Sequence, residues 1–367
     1  MKLTLRTSLS ALLLASIAIA SQAKESKVIS PDGHLTVCVE DRDGQLYYSV
    51  AYDGRQMLEP SRLGVIANTG DFSQNLTFKS SATSTVAKDY AMHTTKASRS
   101  SYRANQLSVV YENADQLPMT VRFNVSDNDI AFRYEFGDVP EHTHIIIDEE
   151  KTSFLFPNTT TTFLSPQSDP MIGWKRSKPS YEEEYTPDAP MTAKSKYGQG
   201  FTFPCLFRVG NDGWVLVSET GTHGNYPGCR LSDYDARDGY SIAFPMAGEC
   251  DGRGASSAAF PLPGATPWRT ITVGTTLKPI AETTISYDVV EPLYEAKYDY
   301  RPGRYTWSWL IWQDNSANYD DQRQMVDLAA TMGYEYVLVD CLWDQQTGRE
   351  RIAELSRYAQ QKGVSLM

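Results

Sequence analysis

The amino-acid sequence predicts two domains: an all-β sandwich over residues 24–298, followed over 299–367 by the first β-α-β-α-β portion of a (β/α)8 TIM barrel. Three observations carry this prediction. Short strand candidates with turn signals fill the chain up to about Tyr287, and the pattern changes after Arg301-Pro302-Gly303. The length that remains is far below the about 250 residues of a whole barrel. We therefore expect a truncated barrel that ends in a strand without its neighbour.

The first 23 residues have the parts of a secretory signal peptide. Lys2 and Arg6 form a basic start, and an apolar stretch follows over Leu12–Ala20. Ser21 and Ala23 then supply the small residues of a cleavage site. The apolar stretch is too short for a membrane span, which needs about 20 residues. We therefore expect a periplasmic or secreted protein without a transmembrane segment.

Charge and cysteine content narrow the class of protein. The formal net charge is −11, and loss of the predicted signal peptide, whose only charges are two basic residues, makes it −13. Such an acidic chain repels phosphate backbones, so we expect no nucleic acid partner.

The five cysteines are widely spaced and lack a C-x-x-C pair. They favour buried free thiols over a Cys229–Cys250 disulfide and give no support for zinc or redox chemistry.

The strand candidates of the first domain are apolar or alternating runs punctuated by turn signals such as Asp43-Gly44 and Asp53-Gly54. The clearest are Leu35–Val39, Leu46–Val50, Leu107–Tyr111, Met119–Val125 and Ile130–Phe136. No sustained helical period precedes residue 315, which predicts a sandwich of many antiparallel strands. A polar stretch rich in Pro and Tyr over 165–195 interrupts the pattern as one long loop, and such loops are often functional.

The pattern after Gly303 is strand, helix, strand, helix, strand. In chain order the elements are the strand Arg304–Trp312, a helix from Asn318 to Gly333, the strand Tyr336–Val339, a helix around Ile352 and Leu355, and the strand Val364–Met367. Asn318 with Asp321 caps the first helix, and Thr347 with Glu350 forms a capping box for the second. Two such crossovers build a barrel or a doubly wound sheet. The lack of a Gly-rich dinucleotide turn favours the barrel.

Aromatic and acidic residues follow the first two predicted barrel strands. Trp309 and Asp314 follow the first strand, and Asp340 and Trp343 follow the second. In a barrel these positions carry the ligand-binding groups. Indole rings cover the apolar faces of sugars, while carboxylates accept hydrogen bonds from hydroxyl groups. We predict a sugar-binding site with Asp340, Trp309 and Trp343. The alternative places the tryptophans in the core and makes Asp340 a cap of the following loop.

Two acidic segments of the first domain could bind a hard cation such as Ca²⁺, which takes oxygen ligands supplied on loops. The first segment is Glu182, Glu183 and Glu184 in the polar loop, with flanking tyrosines. The second is Glu219, at the end of the apolar strand Trp214–Val217. The ordinary alternatives are a solvated acidic patch for the first and a strand-end surface acid for Glu219.

A set of short motifs occurs in a fixed order along nearly the whole mature chain. It comprises Ser30-Pro31-Asp32-Gly33, Ser180-Tyr181-Glu182, Ser218-Glu219, Asn225-Tyr226-Pro227-Gly228, Pro267-Trp268-Arg269, Trp307-Ser308-Trp309 and Met332-Gly333-Tyr334-Glu335-Tyr336-Val337-Leu338-Val339-Asp340. Together these motifs resemble glycoside hydrolase family 97. Two positions depart from the family pattern, Glu219-Thr220-Gly221 and Cys341, and both concern the substrate subgroup.

The resemblance implies an exported α-glucosidase or α-galactosidase with an N-terminal β-super-sandwich and a catalytic (β/α)8 barrel. It also implies a calcium ion in the active site, held partly by a glutamate of the sandwich that Glu182 matches, with Glu184 and Glu219 as reserve candidates. The substrate would be an oligosaccharide or polysaccharide-derived α-glycoside. The family's catalytic carboxylates come from later barrel strands, so we name no catalytic residue in this chain and expect the chain alone to be inactive.

A rival hypothesis is a non-catalytic carbohydrate-binding protein, in which the sandwich binds glycan and the barrel start is a remnant. Further strand-helix units after Met367 in the gene would favour the enzyme, and a stop codon there would favour the remnant.

Overall fold

The computed structural model describes residues 25–92, 95–168, 184–252, 255–294, 297–298 and 301–367. The chain divides into two compact units, Met1–Glu291 and Pro292–Met367, which are called unit 1 and unit 2 below. This division lies earlier in the chain than the boundary after residue 298 that the sequence suggests. The predicted signal peptide, residues 1–23, lies outside the described residues.

Unit 1 is built almost entirely of antiparallel strands. In chain order they are β1 Glu25–Ile29, β2 Leu35–Arg42, β3 Gln45–Tyr52, β4 Arg55–Leu63, β5 Val65–Ala67, β6 Gly70–Asp71, β7 Thr77–Ala91, β8 Arg99–Glu112, β9 Pro118–Val125, β10 Asp129–Phe136, β11 His144–Glu150, β12 Ser153–Phe154, β13 Thr160–Phe163, β14 Ala189–Pro190, β15 Phe201–Thr202, β16 Cys205–Val209, β17 Gly213–Thr220, β18 Arg230–Leu231, β19 Tyr240–Ala243, β20 Ala258–Pro261, β21 Gly264–Ala265 and β22 Trp268–Gly274.

Among the described residues, the strands of unit 1 form one large sheet and three four-stranded sheets. The large sheet has ten strands in the order β14-β13-β16-β17-β22-β10-β9-β8-β7, with β21 paired to β10. The smaller sheets run β1-β2-β3-β4, β20-β11-β5-β6 and β12-β19-β18-β15. This arrangement agrees with the mainly antiparallel sandwich that the alternating pattern predicts.

Side chains from different sheets meet in one apolar core. Tyr48 on β3 contacts Phe123 on β9 and Phe132 on β10, with ring centroids 6.0 and 5.1 Å apart. Phe72 and Phe136 make a similar contact at 5.3 Å. Alternation along each strand sends every second side chain to this core, as in the burial of β2 and β3. The core therefore joins the layers of the sandwich.

Short helices lie before residue 315, although the sequence shows no sustained helical period there. The chain forms a turn of helix α1 over Glu249–Gly252, then α2 over Leu277–Glu282 and α3 over Ile285–Asp288. Thr276 caps α2 by accepting the Lys278 N–H. These helices are too short to show a helical period in the sequence, which explains why pattern analysis misses them.

Unit 2 contains a parallel three-stranded sheet with helices between its strands. The strands are β23 Tyr305–Trp307, β24 Tyr336–Leu338 and β25 Ser365–Leu366, paired in the order β23-β24-β25. The helices are α4 Trp309–Trp312, α5 Tyr319–Met332, α6 Trp343–Gln346 and α7 Arg349–Gln361, with a 3₁₀ turn over Gln313–Ala317. The unit therefore has the predicted strand-helix alternation and parallel pairing.

The caps of α5 are as predicted. Asn318 accepts the Asp321 N–H with its side chain, and Gly333 ends the helix in the left-handed conformation at φ 66°, where a glycine is favoured. The capping box predicted for the second helix is wrong. Gly348 occupies the N-cap of α7 without a side-chain bond, because the Thr347 hydroxyl instead donates to the Ala317 carbonyl (2.6 Å).

The predicted strand Arg304–Trp312 is also wrong in its second half. The strand ends at Trp307, and Trp309–Trp312 forms a helical turn. Ser308 lies in the helical region between them and is fully buried. Its hydroxyl meets the Ser316 hydroxyl (2.8 Å) and accepts a bond from Gln322 Nε2 (2.7 Å). A buried hydroxyl requires such partners, so this polar cluster turns the chain at the strand end.

The described cysteines are free thiols in different environments. Cys205 is buried, Cys38 and Cys229 are half-buried, and Cys341 is exposed, so the expectation that the thiols are buried holds for one of them. The side chain of Cys250 lies outside the described residues. None of the described helices has the length and apolar content needed to cross a membrane.

Candidate functional site

Asp340 lies just beyond β24, at the carboxyl edge of the parallel sheet of unit 2. Trp307, the last residue of β23, donates its indole N–H to Asp340 Oδ2 at 2.8 Å. The Cys341 N–H donates to the other oxygen, Oδ1, at 2.6 Å. Both carboxylate oxygens are therefore oriented by the chain, and the side chain is only half-buried. The alternative interpretation, in which Asp340 caps the following loop, accounts for the bond from Cys341 but not for the bond from Trp307.

A second carboxylate is anchored beside the first in the same way. Trp309 stacks on Trp307 with ring centroids 5.4 Å apart and an angle of 19° between the planes. Its indole N–H donates to Asp314 Oδ1 at 2.9 Å, and Asp314 is exposed. Offset stacking of aromatic rings is favourable and restricts their motion. Two stacked indoles thus hold two carboxylates at one edge of the sheet, an arrangement suited to hydroxyl-rich ligands.

The helix that begins with Trp343 lies beside this arrangement. Gln346 in α6 donates to the Asp314 carbonyl at 2.6 Å, which fixes α6 against the 3₁₀ turn. Burial, followed by the charges of Asp340 and Asp314, raises the pKa of the Cys341 thiol. This thiol is therefore uncharged near neutral pH and is a poor nucleophile.

The core alternative for the tryptophans is wrong for the part of unit 2 that the structure describes. Trp309 and Trp343 are half-buried, and Trp312 is 38% exposed. The core of this unit is made instead by aliphatic and small residues of α5, α7 and the strands: Met325, Val326, Ala329, Val337, Leu355, Ala359 and Val364.

The structure also gives Trp307 a role that the sequence does not assign. Trp307 and Trp309 are two residues apart, a spacing that suggests neighbouring rings, but the bond from Trp307 to Asp340 spans two strands. Parallel pairing places Trp307 opposite Leu338, so the end of β23 comes close to the residues that follow β24. A single sequence carries no direct signal of this pairing.

Glu219, the reserve calcium candidate, is part of a buried ion-pair network in unit 1. Its Oε1 accepts the Cys229 N–H at 2.9 Å, and its Oε2 pairs with the Arg269 guanidinium. The Glu219 side chain is 12% exposed. Because both oxygens are engaged, Glu219 is not available as a ligand, and it is also not the surface acid of the alternative interpretation.

Arg269 is the centre of this network. Its Nε and Nη2 donate to the two oxygens of Glu150 at 2.9 and 2.5 Å, and Tyr226 donates its hydroxyl to Glu150 at 2.8 Å. Burial opposes ionisation of Glu150, but the Arg269 charge outweighs it and holds the Glu150 pKa below its usual value. The sequence signal was a single arginine in the apolar strand β22, since a buried charge requires an opposite partner.

The acidic loop is only partly described. Glu182 and Glu183 lie outside the described residues. Glu184 is exposed and borders a small cavity of about 170 Å³ together with Tyr185 and Lys194. Within the described ranges, no group of three or more His, Cys, Asp or Glu side chains could hold a metal ion. The described residues alone therefore do not form a calcium site.

Comparisons with known proteins agree with this architecture. A family model described as the glycosyl-hydrolase 97 N-terminal domain matches residues 28–292. A probable retaining α-galactosidase from Streptomyces bingchenggensis is 26% identical over 337 residues, covering 88% of this chain and 48% of that protein. The chain therefore spans about half the length of this relative.

Two solved structures extend the similarity to unit 2. The crystal structure of a β-arabinopyranosidase superposes with a TM-score of 0.89 at 53% identity, covering 93% of this chain and 55% of that one. A glycoside hydrolase family 97 enzyme from Pseudoalteromonas sp. strain K8, solved with panose, gives a TM-score of 0.76 at 21% identity. It covers 93% of this chain and 53% of that one, and at this identity it supports the fold alone.

Proposed function

We propose that this chain, which belongs to glycosyl hydrolase family 97, is part of an exported enzyme. The enzyme would hydrolyse α-galactosides or β-arabinopyranosides, whose sugar rings have the same configuration. Glycoside hydrolysis is the common activity of its relatives. The observation that carries the narrower proposal is the 53% identity to a β-arabinopyranosidase over 93% of the chain, together with the α-galactosidase relative. From the sequence alone, α-glucosides and α-galactosides are equal candidates. We now favour the α-galactoside and the β-arabinopyranoside over the α-glucoside.

The two favoured substrates share one shape. The β-pyranoside of L-arabinose has the ring configuration of an α-D-galactoside and lacks only the exocyclic hydroxymethyl group. One site could accept both sugars. The missing group would make the free energies of transition-state binding of the two substrates differ by about 1–3 kcal/mol. An α-glucoside differs instead in the direction of a ring hydroxyl, so a site that hydrogen-bonds this hydroxyl in the galactose configuration would reject it more strongly.

We assign Asp340 to substrate binding rather than to bond cleavage. Its two oxygens, oriented by Trp307 and Cys341, retain lone pairs that can accept bonds from sugar hydroxyls. Trp309 and Trp343 would border the sugar. Cleavage requires two carboxylates on either side of the glycosidic bond, and we propose that they belong to the half of the enzyme that this chain does not include, within a complete (β/α)8 barrel.

The substrate proposal is tested with the protein encoded by the whole gene. Nitrophenyl α-galactoside and nitrophenyl β-L-arabinopyranoside should be hydrolysed at least tenfold more efficiently than the α-glucoside, while the 367-residue chain alone should hydrolyse none of them. A preference for the α-glucoside would overturn the proposed specificity. Absence of turnover on all three by the whole protein would favour the non-catalytic carbohydrate-binding protein.

The role of Asp340 is tested in the same protein. Asp340→Asn should lower kcat/KM about ten- to hundredfold, equivalent to about 1–3 kcal/mol, with little change in melting temperature. Glu354→Gln, on the exposed face of α7, is the matched control and should have no effect. Loss of stability with normal kinetics of the folded fraction would make Asp340 a structural residue.

We further propose that the whole enzyme binds Ca²⁺ with Glu182 as a ligand contributed by the sandwich, and Glu184 as the reserve. The support is the acidic loop itself and the family resemblance of its motif. Because the described residues do not complete a site, the remaining oxygen ligands would come from elsewhere in the protein. Calorimetric titration of Glu182→Gln should show weaker calcium binding, with Glu183→Gln as the control. Unchanged affinity in Glu182→Gln, with a loss in Glu184→Gln, would transfer the assignment to Glu184.

The predicted signal peptide makes export part of the proposal. Expression of the whole gene should place a mature protein that begins near Lys24 in the periplasm or the medium. N-terminal sequencing of the recovered protein tests this, and a mature protein that retains Met1 inside the cytoplasm would contradict it.

A further inference from the structure

A groove lies on the outer face of the ten-stranded sheet in unit 1. It has a volume of about 1010 Å³ and crosses the neighbouring strands β7, β8, β9, β10 and β22. A second cavity of about 410 Å³ shares Arg133, Trp268 and Glu291 with it and continues toward His223. The two adjoin at these shared residues and are together called the outer groove below. All of its lining residues belong to unit 1.

Flat polar side chains form a hydrogen-bonded row along the floor of the outer groove. Arg122 binds both oxygens of Glu135 at 2.8 and 2.7 Å and donates to Gln106 at 2.6 Å. Gln106 in turn donates to Asn124 at 2.8 Å. Arg133, the cross-strand neighbour of Arg122, also donates to Glu135 at 2.7 Å. Each member fixes the next, so the row is preorganised before any ligand binds.

This row keeps unused hydrogen-bonding capacity. A guanidinium has five N–H donors, and Arg133 directs its Nε and Nη2 to Glu135, so donors remain for a ligand. Its guanidinium also lies over the Trp268 ring at 4.2 Å, which holds it flat. Gln106 adds the second N–H of its amide, since the first is donated to the buried Asn124. Alternating donors and acceptors on a flat surface match the hydroxyls along a sugar chain.

The charges of the outer groove balance. Lys88, Arg122 and Arg133 face the three acids Glu135, Asp288 and Glu291, although the whole chain has a net charge of −11. Lys88 pairs with Glu291 at 2.9 Å, and both arginines pair with Glu135. A groove whose charges neutralise one another offers no net attraction to an anion or a cation. Its hydrogen bonds instead suit a neutral polyhydroxyl ligand.

We propose that the outer groove is a second glycan-binding site, which binds a neutral oligosaccharide on the sandwich without cleaving it. The volume of the groove, about 1010 Å³, is larger than a single sugar residue fills. Binding there would keep a longer substrate on the enzyme between cleavage events.

The test measures binding of raffinose and panose by calorimetry to the whole protein carrying Asp340→Asn. Gln106→Ala and Arg133→Ala in this background should each weaken the affinity at least tenfold. Lys79→Ala is the matched control, because Lys79 pairs with Glu112 on β7 and β8 of the same sheet but outside the groove, and it should leave binding unchanged. Without Asp340→Asn, the groove variants should hydrolyse small nitrophenyl glycosides at the parental rate.

Three results would overturn the proposal. The first is no detectable heat with either sugar at concentrations well above about 1 mM, the range of weak site-specific binding. The second is equal binding by the groove variants and the Lys79→Ala control. The third is a fall in melting temperature of Arg133→Ala without any sugar binding, which would mean that another part of the protein covers the groove. Activity on small substrates is measured separately, so failure of the groove leaves the proposed enzyme function standing.

Discussion

The two units hold their key carboxylates in opposite ways. In unit 1, Glu150 is fully buried and is paired with the charged Arg269. In unit 2, Asp340 and Asp314 lie at a sheet edge and are held by neutral indole N–H groups. A buried carboxylate needs an opposite charge to offset its desolvation, whereas a partly solvated one needs only orientation. The comparison therefore separates carboxylates that maintain the fold from carboxylates available to a ligand.

The largest effect should follow removal of the buried cation. Arg269→Met leaves Glu150 and Glu219 without their counter-charge and should lower the free energy of unfolding by about 3–5 kcal/mol, measured by urea denaturation. Arg42→Met is the control, because the exposed pair of Arg42 with Glu40 contributes at most about 1 kcal/mol. Should Arg269→Met not fold, the addition of Glu150→Gln should restore part of the soluble yield. Wild-type stability of Arg269→Met would refute the interpretation.

A carboxylate bound by threonine hydroxyls instead of a guanidinium sharpens the contrast within unit 1. Burial raises the pKa of Asp129 to about 6, although Thr272 and Thr283 donate hydroxyl bonds to it. The unfolded chain has an Asp pKa of about 3.9, so the folded state binds the extra proton between these values. Protonation of Asp129 therefore adds to the free energy of unfolding. This contribution is complete below about pH 4 and is lost as the pH rises through 6.

The Asp129→Asn variant measures this contribution. At pH 4 it should match the wild type, and at pH 7.5 it should be more stable by up to about 3 kcal/mol, because the amide cannot ionise. Urea denaturation of both proteins across this pH range provides the comparison. A constant difference between them at every pH would show that Asp129 does not titrate in this window.

The smallest effect concerns the neutral donors of unit 2 and should appear in kinetics rather than in stability. Trp307→Phe keeps a stacked ring beside Trp309 but removes the N–H that orients Asp340. In the whole enzyme, kcat/KM should fall about tenfold, the value of one hydrogen bond to a charged group, with a shift of only a few degrees in melting temperature. Trp214→Phe in the sandwich is the control. Unchanged kinetics in Trp307→Phe would mean that Cys341 alone orients Asp340.

Local features of the fold could be predicted from the sequence, and features that depend on distant partners could not. The alternating strands β2, β3, β8, β9 and β10 and the caps of α5 at Asn318 and Gly333 depend on neighbouring residues. Two local predictions failed, the capping box at Thr347 and the strand over Trp309–Trp312. In both places partners outside the local segment, Ala317 and the Ser308 cluster, decide the conformation.

The candidate site shows the same division. The position of Asp340 after a parallel strand followed from the strand-helix pattern, but its bond to Trp307 requires knowledge of strand pairing. Glu219 was a metal candidate because it is a carboxylate at the end of an apolar strand, and its alternative was a surface acid. Its partner Arg269 is far away in sequence, and only the pairing of β17 with β22, which places Glu219 opposite Arg269, brings the two together.

The position of β22 has a consequence for the order in which the protein can form. This strand lies between β17 and β10 in the ten-stranded sheet and is buried at every residue, yet it is the last strand of unit 1 in the chain. During synthesis the two halves of the sheet, β7–β10 on one side and β13, β14, β16 and β17 on the other, must wait for Gly274 to leave the ribosome before they can join. Until then each half exposes an unpaired inner edge, and closure over such sequence separations is slow. The nascent sandwich is thus most vulnerable to aggregation just before its central strand arrives.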